Sequence, residues 1–448
     1  MRTATVQETL ESVHRIATRK AMAKLIPLMC IIYFLSFIDR TNVALAKAAL
    51  AADLGISAAA YGLGAGIFFI GYALLEVPSN LAAHRFGPRR WISRIAVTWG
   101  ALSTAMMFVQ GEWSFYALRV LLGVAEAGLF PALMYMVTLW FAPKDRAVAV
   151  GWIYTAPSIA LILGNPLGAS LMQLDGLGGL HGWQWMFMLE GMPTIVAGIV
   201  LYFKLPDRPA AVPWLTPEEA HSLEAHAVID THGHAGLFST DWFAAIKRPT
   251  TLLIGLIYFL NQVAFVGLYF FTPSIVSPMH IQSPLLVGML SSSVGFGFLS
   301  GVLILPRIHR RVDNDCAFLG VLTAGLVLSG YAFIAAGGSQ AIQIALLCVT
   351  GFFAGGILPS YWAVAMKRLQ GIQAAAGLAF INTVGLLGGF VGPYLFGMAE
   401  TWSGRSDAGF NVIVGASIIG LLLVPLLART IRAADRPAAA GPASVIKV

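Results

Sequence analysis

Residues 25–46 read LIPLMCIIYFLSFIDRTNVALA, an apolar run with Asp39 and Arg40 set inside it. A helix that crosses a bilayer needs about 20 predominantly apolar residues. This run meets that length, and eleven more of its kind follow. Together they predict helical spans near 25–48, 58–82, 92–110, 114–140, 147–173, 185–203, 250–275, 287–306, 316–336, 341–365, 373–399 and 409–429. The composition demands such a solution. Of the 448 residues, 58% are hydrophobic and 11% are charged, against about 25% charged in ordinary soluble domains. Mean hydropathy is +0.77. Only lipid can serve as solvent for that much apolar surface, so an all-α membrane protein of twelve spans is predicted.

Lysine and arginine test the count. The even-numbered gaps between spans and the two tails hold 24 of the 28 basic residues. The odd-numbered gaps hold Lys47 and Arg405, and Arg40 and Arg119 fall inside spans. Basic residues concentrate on the cytoplasmic side, so both termini are expected in the cytoplasm and the chain in the cell inner (plasma) membrane. Residues 1–24 are polar and basic and lead straight into a span without a cleavage site, unlike a signal peptide. The longest gap splits the chain in two. The expected organisation is a cytoplasmic segment 1–24, a six-helix bundle 25–203, a linker 204–249, a second bundle 250–430 and a tail 431–448. Within the linker, Thr216-Pro217-Glu218-Glu219 reads as a helix start. Asp241-Trp242-Phe243 followed by Lys247-Arg248 reads as a short interfacial helix. The halves echo each other weakly: Pro131 and Pro166 stand 35 residues apart, Pro359 and Pro393 stand 34 apart. Duplicated transporters bind their substrate near the bilayer midplane, between the halves.

A charge at the bilayer centre costs about 3 kcal/mol on insertion scales, so intramembrane ions carry the strongest functional signal. Four stand out: Asp39 and Arg40 in the first span, Arg119 and Glu126 in the fourth. Adjacent helical residues point about 100° apart, so Asp39 and Arg40 need different surroundings. Arg119 and Glu126 are two turns apart on one face, with Gly123 between them. Turning that face toward the first span lets an arginine neutralise a carboxylate. Burial makes a carboxylate harder to ionise and a nearby arginine makes it easier, which is the physics of proton coupling; a static ion-pair cluster is the plainer reading. Arginine forks also suit a carboxylate ligand. Tyr72, Asn165, Asn261, Gln262, Tyr269, Trp362 and Asn382 are further polar groups deep in spans. Glu76 and Glu190 lie nearer span ends and read as gating or interfacial ion-pair candidates.

Several function classes find no support. The net charge of +7 is explained by loop topology, so nucleic acid is not an expected partner. Cys30, Cys316 and Cys348 are too scattered for a disulfide framework or a metal site. His226, His232 and His234 lie in the linker at irregular spacing with no acid or thiol beside them. No phosphate-binding loop is found, and the glycines recur at small-xxx-small spacing that suits close helix packing. No metal, cofactor or catalytic residue is expected, and the chain is not expected to be an enzyme.

These residues resemble the major facilitator superfamily, and within it the anion:cation symporter family whose members carry tartrate-, phthalate- and hydroxyphenylacetate-type carboxylates. The resemblance spans about 20–430. It rests on Phe37-Ile38-Asp39-Arg40-Thr41-Asn42, Glu76-Val77-Pro78-Ser79-Asn80, and Arg119 through Glu126-Ala127 to Phe130-Pro131. Gly182-Trp183-Gln184-Trp185, Leu205-Pro206-Asp207-Arg208-Pro209 and Gly388-Gly389-Phe390-Val391-Gly392-Pro393 continue it. It implies protonation at Asp39 and Glu126, anion binding at Arg40 and Arg119, and a pocket lined by Tyr72, Trp362 and Asn382. Asn261, Gln262 and Tyr269 join that pocket on their own chemistry. Two positions depart from sugar-acid carriers: Phe37 replaces an aromatic hydroxyl and Pro157 a glutamine. The loop between spans 2 and 3 has Asn80 and His84 where glycine and aspartate are usual.

The expected function is proton-coupled symport of a small organic carboxylate by a monomer in the lipid bilayer, with protons as the coupling ion. A proton-coupled exporter of a drug or metabolite is the alternative.

Overall fold

The computed structural model describes residues 2–227, 247–279, 283–337, 339–368 and 372–434. Residues 241–246 of the expected interfacial helix and two of the linker histidines, His232 and His234, lie outside the described residues. The first half is built from α1 (Arg2–Leu54), α2 (Ala58–Phe86), α3 (Pro88–Ala105), α4 (Glu112–Glu126), α5 (Leu129–Trp140), α6 (Pro143–Ile153), α7 (Thr155–Leu171) and α8 (Gly182–Lys204). A linker helix α9 (Pro217–His226) follows. The second half comprises α10 (Pro249–Val276), α11 (Pro284–His309), α12 (Asp315–Ala335), α13 (Gln340–Arg368), α14 (Ile372–Ser403) and α15 (Gly409–Ala434).

Eleven helical stretches among the described residues are long and apolar enough to cross a membrane. The remaining predicted span, 92–110, is α3, whose first turns carry Arg89, Arg90 and Arg94. It takes its place in the bundle by packing along α8. The span predicted at 114–140 is broken into α4 and α5. Gly128 takes a left-handed φ of +85° there, a conformation glycine adopts without Cβ strain. The freed Ala127 carbonyl accepts a hydrogen bond from Ser79 Oγ at 2.6 Å, so this acceptor is satisfied within the apolar interior.

The two halves repeat one packing scheme. In the first, α1 packs on α7, α2 on α4, and α3 on α8. In the second, α10 packs on α14, α11 on α13, and α12 on α15. The halves meet where α2 lies against α14 and α7 against α11, with α1 crossing α10. These contacts crowd toward the end of the bundle opposite the termini. A Cβ on Gly62 or Gly66 of α2 would collide with the Pro393 or Phe390 carbonyl of α14, so only glycine permits that approach. Exposed apolar side chains such as Leu121, Phe203 and Leu422 cover the outside.

The helix of the first span begins well before residue 25: α1 runs unbroken from Arg2. Its early turns dock the linker. Thr216 caps α9 as expected, accepting from the Glu219 amide, while Glu219 accepts from the Thr216 amide. Lys20 donates to both Glu219 oxygens at 2.7 and 2.8 Å and thereby holds that carboxyl below its ordinary range. His14 contacts Asp145 at 3.3 Å and its ring lies 4.3 Å from that of His226.

Candidate functional site

The 100° between neighbours on α1 separates Asp39 from Arg40. Arg40 turns toward α4, where its Nη2 donates to Glu126 Oε1 at 2.7 Å. Its guanidinium lies 4.4 Å from the Phe37 ring centre and 5.3 Å from that of Phe68, cation–π contacts that hold the planar fork in place. Arg40 keeps 17% of its side chain exposed, whereas Glu126 is buried. Glu126 is the last residue of α4, so the break at Gly128 sets the carboxylate at an irregular point in the span. The expected partnership between the fourth span and the first therefore forms, through Arg40.

Asp39 faces the other way, into the first half. Its Oδ1 accepts from Ser103 Oγ of α3 at 2.6 Å and from Asn42 Nδ2 at 3.1 Å. It shares no salt bridge with either intramembrane arginine. Arg119 does not reach the first span either. It is fully buried, donating through Nε to the Gly64 carbonyl at 3.1 Å and through Nη2 to the Ala65 carbonyl at 3.0 Å. A guanidinium committed to α2 backbone and sealed from solvent clamps α4 to α2 in this state. Arg119, the second expected anion-binding residue, is thus turned to α2, against which α4 packs over most of its length.

Tyr72 and Glu76 stand one turn apart on α2, and Tyr72 lies within electrostatic reach of Arg40, Glu126 and Glu76. Asn382 of α14 crosses from the second half and donates Nδ2 to both Glu76 oxygens at 3.1 Å. Glu76 is thus an inter-half contact, made to the neutral amide of Asn382. From α10, the Tyr269 hydroxyl donates to the Phe37 carbonyl at 3.0 Å, one turn before Arg40. Trp362 sits edge-on to Tyr258 at 5.4 Å. Tyr33, Phe130 and Tyr154 form a chain of rings on the first half, at 5.5 and 5.4 Å.

Two expected pocket residues lie elsewhere. Asn261 is buried against Thr323, Ile357 and Ser417, in a small gap inside the second half. Gln262, one position on, packs its Cβ beside Gly388 of α14. Both positions on α10 lie beside helices of their own half, and the Asn261 Oδ1 has no hydrogen-bond partner among the described residues. Asn165 likewise bonds its own helix, through the Leu161 carbonyl at 3.3 Å.

The count of basic residues places Lys47 in an odd-numbered gap. It is instead buried and bonds Glu400 of α14, with its ammonium 4.4 Å from the Phe271 ring centre. This ion pair joins the halves near the far end. Its sequence signal was faint, a lone lysine at a span boundary. Between spans 2 and 3, the missing loop acid is supplied from beyond α8: Asp207 pairs with Arg89 at 3.2 Å. No cluster of three metal-ligating side chains occurs among the described residues.

Comparison with known proteins agrees with this geometry. The family model described as Major Facilitator Superfamily matches residues 29–393. A "Quinolone resistance transporter" of Acinetobacter baumannii is 37% identical over 409 residues, covering 90% of this chain and 93% of that protein. A protein of Agrobacterium vitis named "Putative tartrate transporter" is 36% identical over 413 residues, covering 92% and 91%. Among solved structures, a bacterial homolog of the human lysosomal transporter Spinster, in an inward-facing and unoccupied conformation, aligns with a TM-score of 0.74. That alignment covers 94% of this chain and 99% of that one at 18% identity, a likeness of fold.

Proposed function

The chain belongs to the Major Facilitator Superfamily, and from that premise we propose that it is a proton-coupled symporter importing a small organic carboxylate by alternating access between its halves. The observation that carries this reading is the Arg40–Glu126 ion pair, partly exposed on the arginine side and buried on the glutamate side. A substrate carboxylate and Glu126 compete for the same fork. When Glu126 takes a proton it becomes a neutral acid and releases Arg40, which then binds the incoming anion. One proton and one anionic group enter together, and the site's net charge is unchanged. Each ligand thereby favours the other, the reciprocity that coupling requires.

In this reading Tyr72 and Tyr269, together with Trp362 and Asn382 from the second half, serve as the polar and aromatic lining. With the termini in the cytoplasm of a cell whose inner membrane holds the chain, the Lys47–Glu400 end faces outward. The described state is then closed outside, and the substrate leaves toward the cytoplasm. The tartrate name of the 36% identical relative supports a carboxylate.

Proteoliposome uptake under an imposed pH gradient, with tartrate as probe, tests the reading. Gradient-driven accumulation is expected in the native protein and lost in Glu126→Gln, while exchange of labelled for unlabelled tartrate survives. Intact accumulation in Glu126→Gln overturns the coupling assignment. The 37% identical relative named for quinolone resistance favours a second reading, proton-coupled export. Raised quinolone resistance in cells expressing this chain, with no carboxylate uptake, would select it.

A further inference from the structure

Glu190 of α8 is 3% exposed, and neither of its oxygens has a hydrogen-bond partner among the described residues. An ionised carboxylate left so in an apolar interior is among the costliest arrangements a fold can hold. Its surroundings supply no cation. Asp39 is the charged group acting on it, and Asn42 stands within hydrogen-bonding reach. Gly168 of α7 leaves room for the carboxyl: a Cβ there would lie 3.3 Å from Oε1. Helix α7 carries no titratable residue, nor does the turn at 106–108. On α3 the nearest basic residue, Arg94, stacks on Trp91 at 4.0 Å and lies about 13 Å along the helix from Ser103. On α1, Arg40 is turned to Glu126 and Lys47 to Glu400.

The unpaired atoms here are complementary under one protonation state. Asp39 is served by donors: Ser103, Asn42 and, within reach, the indole of Trp99. Those suit the ionised form. Asn42 turns its amide nitrogen toward Asp39, and its Oδ1 is an acceptor without a partner among the described residues. An ionised Glu190 only accepts, and so cannot satisfy it; a protonated Glu190 carries the O–H that can. Protonation of Glu190 would complete a chain from its O–H to Asn42 Oδ1, joined to the observed bond from Asn42 Nδ2 to Asp39 Oδ1.

We propose that Glu190 and Asp39, bridged by Asn42, form a paired-carboxylate proton site inside the first half, with the proton on Glu190 and the charge on Asp39. The site is distinct from the Arg40–Glu126 pair and extends the symport reading, since it gives the first half its own proton to carry. On release the Glu190 O–H bond breaks and the proton passes to water, leaving two carboxylates that repel across Asn42. Helices α1 and α8 then part or admit water, so loading and unloading are tied to the packing of this half.

Infrared difference spectroscopy on the purified protein in lipid tests the site without needing the substrate. The native protein should show the C=O stretch of a protonated carboxyl at neutral pH. Glu190→Gln, which keeps both shape and a donor, should lose that band, and Glu126→Gln should retain it. Asn42→Val removes the acceptor and should shift the band without abolishing it. A native spectrum lacking the band, or a band unchanged in Glu190→Gln, overturns the site. Tartrate uptake separates it from the parent reading. Loss of the band in Glu190→Gln sustains the site even if the native protein fails to accumulate tartrate under a pH gradient, which would sink carboxylate symport alone.

Discussion

Replacing Glu400 by glutamine should open the far end of the bundle. The Lys47 side chain is 6% exposed and that of Glu400 is 21% exposed, so the pair lies between two regimes. An exposed ion pair contributes about 1 kcal/mol or less, and orphaning one partner of a fully buried pair costs about 3–5 kcal/mol. Glu400→Gln leaves the more buried ammonium without its counter-ion, over the Phe271 ring, and about 2–3 kcal/mol is expected against the closed state. At 1.4 kcal/mol per tenfold, that moves the closed-to-open ratio about 30- to 140-fold. Lys47→Met should move it less, because Glu400 reaches water. The double substitution should recover most of the closed population, since no unpaired charge remains. Spin labels at the exposed Leu177 and Trp402, one in each half, report the separation by pulsed dipolar spectroscopy. Distance distributions that are the same in Glu400→Gln and the native protein would refute the pair as a gate. So would an effect in the double variant equal to the sum of the two single ones.

Two further outcomes follow from packing and charge. Gly123→Ala should lower thermal stability, read as the melting temperature in detergent, by an amount matching about 1–3 kcal/mol of overpacking, because its Cβ would meet the Phe68 carbonyl of α2; an unchanged melting temperature would count against the α2–α4 approach described here. The docking of α9 on α1 should be lost in acid: Lys20 holds Glu219 below its ordinary range, so the contact contributes fully above the ordinary glutamate value and fades as pH falls through the lowered one. Hydrogen exchange of 217–226 should rise in that window, and Lys20→Met should weaken the pH dependence, leaving the part due to the Thr216 amide.

The spans were legible because lipid imposes length and hydropathy on each of them, and because basic residues record the side on which each gap lies. The break in the fourth span was harder to see. Ala127-Gly128 reads as an ordinary small pair, and only the Ser79 hydroxyl waiting on α2 makes it tolerable at that depth. The chemistry divided in the same manner. Intramembrane charge singled out Asp39, Arg40, Arg119 and Glu126, since each is costly wherever the chain goes. Which charge meets which depends on helix rotation, and helix rotation is a property of the packed halves. Arg119 thus faces α2 backbone, and Asn261 faces its own half. Glu190 marks the limit of the approach. Its position near a span end suggested a gating or interfacial ion pair, yet α8 is docked so closely on α3 and α1 that the carboxyl is enclosed. The adjacency of Asp39 and Arg40 supplies the remaining logic. Two neighbours 100° apart on one helix address two compartments, the seam between halves and the interior of the first half. A movement of α1 that alters one ion's surroundings therefore alters the other's.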